Sequence, residues 1–220
     1  MIRDGRVRVN GGVVREMGVT VGPGDRVVVD GREVSPQAPM WVMLHKPPGY
    51  VTTRDDPRGR PTVYDLLPAR FDSLFHVGRL DLDSEGLLLL TNEGDVAHRL
   101  MHPSGEVDRV YRVDVEGVLS RAERSRLLDG IELEDGLARA HEVEVIGETA
   151  SGPGGGPGAR VRVVMREGRK REVRRLFDAV GHPVRRLVRE RLGPVTLGGL
   201  PPGEWRELEA GEVAALRGLE

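Results

Sequence analysis

The sequence contains no cysteine, which excludes disulfides, thiolate metal sites and cysteine nucleophiles. Aromatic residues make up only 4% of its 220 positions, too few for the aromatic platforms on which sugar-binding clefts generally hold their substrates. Lysine is almost absent, because only Lys46 and Lys170 among the 33 basic residues are not arginine. No apolar run approaches the roughly 18 residues of a membrane span, and the opening MIRDGRVRVN lacks the apolar stretch of a secretory signal. A cytoplasmic protein with no membrane partner is therefore expected. The six histidines are scattered without zinc-site spacing, and no Walker or Rossmann glycine loop occurs. Neither a metal nor another cofactor is expected.

Charge is abundant and unevenly placed. The net charge is only −2, yet residues 160–191 carry twelve Lys or Arg against four Asp or Glu, whereas residues 114–148 are mostly acidic. That contrast predicts an electropositive face, and arginine suits bidentate phosphate contacts. A GC-rich coding bias would explain the scarcity of lysine equally well, but not the clustering.

The first segment alternates short runs of valine with Asn10-Gly11 and Asp30-Gly31 turns and reads as a small β-rich unit. SPQAP, residues 35–39, has the composition of a linker. Beyond it, residues 87–90 form a buried apolar run closed by Asn92-Glu93-Gly94, and Asp95 is placed to cap a short helix running to about Met101. Strands are expected at 111–115, 141–146 and 160–165, with a helix from about 120 to 128. SGPGGGPG, residues 151–158, is expected to be a flexible hairpin tip. The clearest helix follows Gly168: Val173, Leu176, Phe177 and Val180 fall on one face, Gly181 stops it, and Arg171, Arg174 and Arg175 lie off that face. Strands interleaved with isolated helices predict an α+β domain on a mixed, largely antiparallel sheet.

The segment HVGRLDLDSEGLLLLTNEGD, residues 76–95, places Asp81 in a polar loop just before the buried run. Asp83 and Glu85 follow, so spacing alone also fits a paired-carboxylate glycosidase or a cation site. Each of these acids, taken bare, is more often a solvated loop residue than a catalytic one. Likewise Tyr111 alone is more often a core aromatic, Arg174 more often a solvated helix charge, and Lys46 more often an exposed loop lysine. Val173 is favoured as core, and Leu187 fits a pocket wall equally well.

Together, four blocks select among these readings. They are HKPPGYVTT (45–53) with RPTVYDLLP (60–68), GRLDLDSEGLLLLTNEG (78–94), MHPSGEVDRVYRVDVEG (101–117) and EGRKREVRRLFDAVGHPVRRLVRERLGPV (167–195). In this order they resemble the RsuA/RluB-type pseudouridine synthases, and MHPS and EVRRLF are closer to the large-subunit RluB branch. The resemblance implies a pseudouridine synthase catalytic domain over residues 38–220, with Asp81 as catalytic aspartate, Tyr111 as the aromatic that stacks on the target base, and Arg174 as the basic residue set against the carboxylate. Arg79, Arg169, Lys170, Arg171 and Arg175 are then expected to hold RNA, while substitution of Asp83 or Glu85 is expected to be much milder than that of Asp81. The implied partner is ribosomal RNA, 23S rather than 16S, free or in a pre-ribosomal particle, and the implied enzyme is a monomer. Residues 1–34 resemble the latter part of the alpha-L RNA-binding module, so residues 1–37 are expected to be a truncated module plus linker. A non-catalytic rRNA-binding or assembly protein is the alternative, and the joint presence of Asp81, Tyr111 and Arg174 favours the enzyme.

Overall fold

The computed structural model describes residues 1–22, 24–35, 37–149 and 157–219, which fall into two compact units, Met1–Ala38 and Pro39–Glu220. Pro36 of the expected linker, and all of the expected hairpin tip except Pro157 and Gly158, lie outside the described residues. No helix among the described residues is long and apolar enough to cross a membrane.

The first unit is one antiparallel sheet of four three-residue strands, β1 (Val7–Val9), β2 (Gly12–Val14), β3 (Val27–Val29) and β4 (Arg32–Val34), in the order β2-β1-β3-β4. Asn10-Gly11 and Asp30-Gly31 close its two hairpins with φ of 51° and 86°, and 49° and 78°. This is the left-handed pair that tight hairpins need and that Asn-Gly and Asp-Gly supply. None of its described residues is buried. Its order comes from turns and polar bonds such as Arg6 Nε to Asp30 (2.7 Å) and Asn10 Nδ2 to Asp25 (2.8 Å).

The second unit is an α+β fold. Its elements are β5 (Trp41–Lys46), β6 (Phe75–Val77), β7 (Glu85–Thr91), α1 (Gly94–Met101), β8 (Arg109–Glu116), α2 (Arg121–Asp129), β9 (Ile131–Leu133), β10 (Gly136–Ala138), β11 (Glu142–Thr149), β12 (Gly158–Met165), α3 (Glu172–Ala179), β13 (Val184–Leu192), β14 (Val195–Thr196), β15 (Trp205–Glu207) and α4 (Ala210–Arg217). Nine strands make one sheet, ordered β11-β12-β8-β13-β7-β5-β15, with β6 against β7 and β14 against β13; β9 and β10 form a separate hairpin. Within the large sheet every pairing is antiparallel except β13 with β7. At that parallel junction Gly86 has φ 106°, and a Cβ there would lie 2.3 Å from the Arg189 carbonyl oxygen. Only glycine lets β13 come this close to the start of β7.

The sheet is buried unevenly. In β5 and β7 successive residues enter opposite cores: Val42, Leu44, Leu88 and Leu90 join α2 and α3 on one side, and Trp41, Met43, Leu87 and Leu89 join α1 and α4 on the other. That is why the sequence there is a continuous Leu run rather than an alternation, each fully buried Leu contributing about 1.5–3 kcal/mol. In β8, by contrast, Tyr111, Val113 and Val115 face the core while Arg112 and Asp114 carry ion pairs on the back.

The helices follow local signals with small shifts. Glu93 rather than Asp95 is the N-cap of α1, and Asp95 instead sits in the first turn, where the helix dipole favours a carboxylate. Ser120 and Glu123 form a reciprocal capping box on α2, with bonds of 3.2 and 2.7 Å. On α3, Val173, Leu176 and Phe177 are all buried.

The expected electropositive face over residues 160–191 is largely cancelled. Arg160 binds Asp114 (2.7 and 3.0 Å), Arg186 binds Glu85 (3.0 and 2.8 Å), and Arg162 binds Glu142 (3.4 Å). Arg112 binds Glu190 at 2.6 Å. Strand pairing sets Asp114 and Glu142 of the acidic segment beside Arg160 and Arg162, and Glu85 of β7 beside Arg186, so much of the basic excess is neutralised across the sheet.

Candidate active site

On the other side of β8 and β13 lies a cleft of about 680 Å³, lined among others by Asp81, Tyr111, Met165, Leu187 and Val173. The volume suits a nucleotide-sized ligand. Val173 and Leu187 belong to the core and line this cleft at the same time.

Asp81 is presented by a loop whose backbone is clamped at five consecutive carbonyls. Leu80 accepts from Thr52 Oγ1 (2.9 Å), Asp81 from the Ser84 amide (3.1 Å), Leu82 from the Gly49 amide (2.8 Å), Asp83 from Arg174 (3.0 Å) and Ser84 from Lys46 (2.7 Å). Lys46 is thus not an exposed loop lysine. It ends β5 fully buried, and its ammonium also donates to the Pro47 and Leu82 carbonyls at 3.0 and 3.4 Å. Burial lowers its pKa to about 8, against the opposing pull of Asp83, Asp81 and Glu85. With its backbone so held, the loop offers the Asp81 carboxylate free of any hydrogen bond or ion pair among the described residues, while Arg171, Arg174 and Lys46 bathe it in positive potential. A rigid loop with one unengaged carboxylate is a preorganised chemical group.

Arg174 is not paired with Asp81, as the resemblance implied. Its Nη1 donates to the Val184 carbonyl (3.0 Å), and its Nη2 meets both the Asp83 carbonyl and, at 3.3 Å, the Asp83 carboxylate. Its buried side chain lies outside the cleft lining. Asp83 therefore ties the Asp81 loop to α3. Burial would raise its pKa, but the hydrogen bond from Arg171 and the charges of Arg174 and Arg171 hold it below the usual carboxylate value. Arg171 reaches Asp83 at 3.1 Å from the N-cap of α3, where its φ of 52° is left-handed. A non-glycine residue there stores strain of about 1–2 kcal/mol, and the ion pair fixes it.

The other expected RNA contacts divide. Arg79, Lys170 and Arg171 line the cleft, and the first two make no hydrogen bond or ion pair among the described residues. Arg169 also lines it, but its guanidinium turns inward to Glu167 (2.9 Å) and to carbonyls of the β9–β10 hairpin, at Gly136 (3.1 Å) and Leu137. Arg175 lies off the cleft and is held by Asp135 at 2.7 and 3.0 Å.

Sequence reasoning missed Arg109, Arg189 and Glu172, all buried and all lining the cleft. The signal was strand parity: Arg109 is two residues from Tyr111, and Arg189 two from Leu187, so each shares its neighbour's face. Glu172 accepts from the Arg169 amide at 3.1 Å. Burial, reinforced by hydrogen bonding to Glu167, raises its pKa to about 7.

A clamped carboxylate, a buried aromatic ring and a cationic rim form a site able to hold a polyanion and act on one group of it. The family model for RNA pseudouridylate synthase matches residues 40–179. An RNA pseudouridine synthase of Aquifex aeolicus is 43% identical over 98% of this chain and 85% of its own. The ribosomal large subunit pseudouridine synthase B of Bacillus subtilis is 37% identical over 100% of this chain and 88% of its own. A crystal structure of a pseudouridylate synthase superimposes with a TM-score of 0.72 at 28% identity, over 98% of this chain and 90% of that one. The chain belongs to the RNA pseudouridylate synthase family and is an isomerase.

Proposed function

We propose that this enzyme converts one uridine of 23S ribosomal RNA to pseudouridine, in the cytoplasm and as a monomer, with Asp81 as the reacting carboxylate. The observation that carries this reading is the unengaged Asp81 carboxylate on a loop with every carbonyl from 80 to 84 bonded. The large-subunit target rests on the likeness to the Bacillus subtilis enzyme. Pseudouridine formation moves the ribose from N1 to C5 of the same base, so it needs a carboxylate, a clamp for the base and shelter from water, with no redox step. A target within folded RNA is first turned out of its stack at a cost of about a few kcal/mol. Tyr111, in the cleft wall, receives the extruded ring, and Arg79, Lys170 and Arg171 hold its phosphates. Arg171 exchanges its Asp83 partner for phosphate as RNA enters. Arg174 and Lys46 act through the loop, as positioning residues. The first unit adds a second RNA contact, as an alpha-L module would.

Mapping pseudouridines in both rRNAs of a deletion strain tests this reading. One modification in the large-subunit rRNA should vanish, return with the wild-type gene and not return with Asp81→Asn. An unchanged map overturns the function, and a loss in 16S rRNA overturns the target.

A further inference from the structure

Two buried guanidiniums lie in the cleft wall without an acid to neutralise them. Arg109 is 8% exposed and Arg189 3%. Arg109 gives its N–H groups to the carbonyls of Val107 (3.0 Å), Arg166 (2.9 Å) and Leu100 (3.2 Å). Arg189 gives Nε to the Leu87 carbonyl at 2.8 Å, and its buried Nη2 has no hydrogen-bond partner among the described residues. Neither forms an ion pair among the described residues, in contrast to Arg112, Arg160 and Arg186 on the back of the same strands. Burial lowers the pKa of Arg109, and the neighbouring Arg189 charge adds to that. The buried acid Glu172, which acts on Arg109, is a weak counter-charge because its own pKa is raised to about 7. An unpaired buried cation is costly, so two of them in the cleft that Asp81 and Tyr111 also line make its wall a place where negative charge is strongly favoured. Their position is fixed: Gly86 admits the backbone of Arg189 against β7, and Arg189 pairs in register with Tyr111.

We infer that Arg189, supported by Arg109, is a catalytic residue that stabilises the negative charge on the base while it is detached from the ribose. This rests on the proposed function. In the reaction the C1′–N1 bond breaks and its electron pair stays on the base, whose charge spreads over N1, O2 and O4, leaving C1′ electron-poor opposite the Asp81 carboxylate. The turned base then returns an electron pair from C5 to C1′, and the proton on C5 is lost as N1 gains one, so no atom or electron is added overall. The cleft-lining guanidinium of Arg189 donates to a base carbonyl oxygen when that oxygen carries charge, and less strongly before. Such a donor lowers the barrier without tightening substrate binding.

The test compares wild type, Arg189→Gln, Arg189→Lys and Asp81→Asn in single turnovers at saturating enzyme, on target RNA carrying either uridine or 5-fluorouridine, and follows breakage of the C1′–N1 bond, since a C5 fluorine cannot leave as the C5 proton does. Fluorine withdraws electrons and stabilises the base anion by itself. Arg189→Gln should lose about a hundredfold in rate on uridine, the scale of one missing oxyanion donor, with RNA affinity unchanged. Its loss on 5-fluorouridine should be several-fold smaller, and Arg189→Lys should lie between wild type and Gln. Equal losses on both RNAs, or a loss of affinity alone, overturn the inference. An Asp81→Asn enzyme that still turns over overturns the proposed function itself, whereas an inactive Asp81→Asn with equal Arg189→Gln losses removes only the role of Arg189.

Discussion

The back of the β8–β12–β13 sheet and its cleft face both carry arginines, and they use them in opposite ways. Behind the sheet Arg112, Arg160 and Arg186 each end on a carboxylate of a neighbouring strand, in partly solvated pairs of the kind that contribute at most about 1 kcal/mol. In the cleft, Arg109 and Arg189 end on carbonyls, and Arg79 and Lys170 make no hydrogen bond or ion pair among the described residues. The positive potential that RNA meets is therefore set by which arginines lack acids, and the total count of arginines says little about it.

Carboxylates test the comparison most severely. Asp81→Asn should lower the saturated rate by at least about a thousandfold, as removal of a reacting group does, whereas Glu85→Gln, four residues on and facing Arg186 on the back, should cost less than tenfold. Single-turnover rates decide, and comparable losses would break the distinction between the faces.

Lys46→Met comes next. It removes the ammonium that satisfies three loop carbonyls, so denaturant unfolding should show a loss of about 2–4 kcal/mol. The saturated rate should fall with RNA affinity nearly intact. A stable variant with full activity would show that the loop holds itself.

Glu172 adds a pH dependence confined to the cleft face. Its folded pKa is raised to about 7 from 4.5, so the folded state retains a proton that the unfolded state has released. Stability is then fully present below about pH 4.5 and lost as pH rises toward 7. Glu172→Gln should flatten this slope and stabilise the protein at pH 8 by about 1–3 kcal/mol. A thermal-melt series against pH reads the difference, and parallel curves for both proteins would refute it.

The smallest effects concern RNA affinity. Lys170→Gln should weaken binding and reduce its salt dependence by roughly one unit of slope, while Arg160→Gln should leave both unchanged and cost under about 1 kcal/mol of stability. Equal effects of the two substitutions in a salt series would mean that RNA also touches the back.

Much of the scaffold was legible because its signals are local. Asn10-Gly11 and Asp30-Gly31 marked hairpins through the left-handed φ they tolerate, the spacing of Val173, Leu176 and Phe177 marked α3, and the run at 87–90 marked a strand buried on both faces. The β9–β10 hairpin and α4 were missed: the hairpin carries the Asp135-Gly136 pair but its strands are only three residues long, and the eight residues of α4 carry no long period. At the site, the loop bearing Asp81 was readable, but the partners of its neighbours were not.

By itself, the sequence determined where helices and strands form, that Asp81 stands just before a buried strand, and that basic residues concentrate near the C-terminal half. Only tertiary structure decided which charges survive. Arg160 and Arg189 are the same residue type in the same basic segment, but one meets Asp114 across a strand pair and the other, among the described residues, meets only the Leu87 carbonyl. Electrostatic energy depends on distance and burial, and for residues far apart in the chain both are fixed by strand register and by the approach that Gly86 allows.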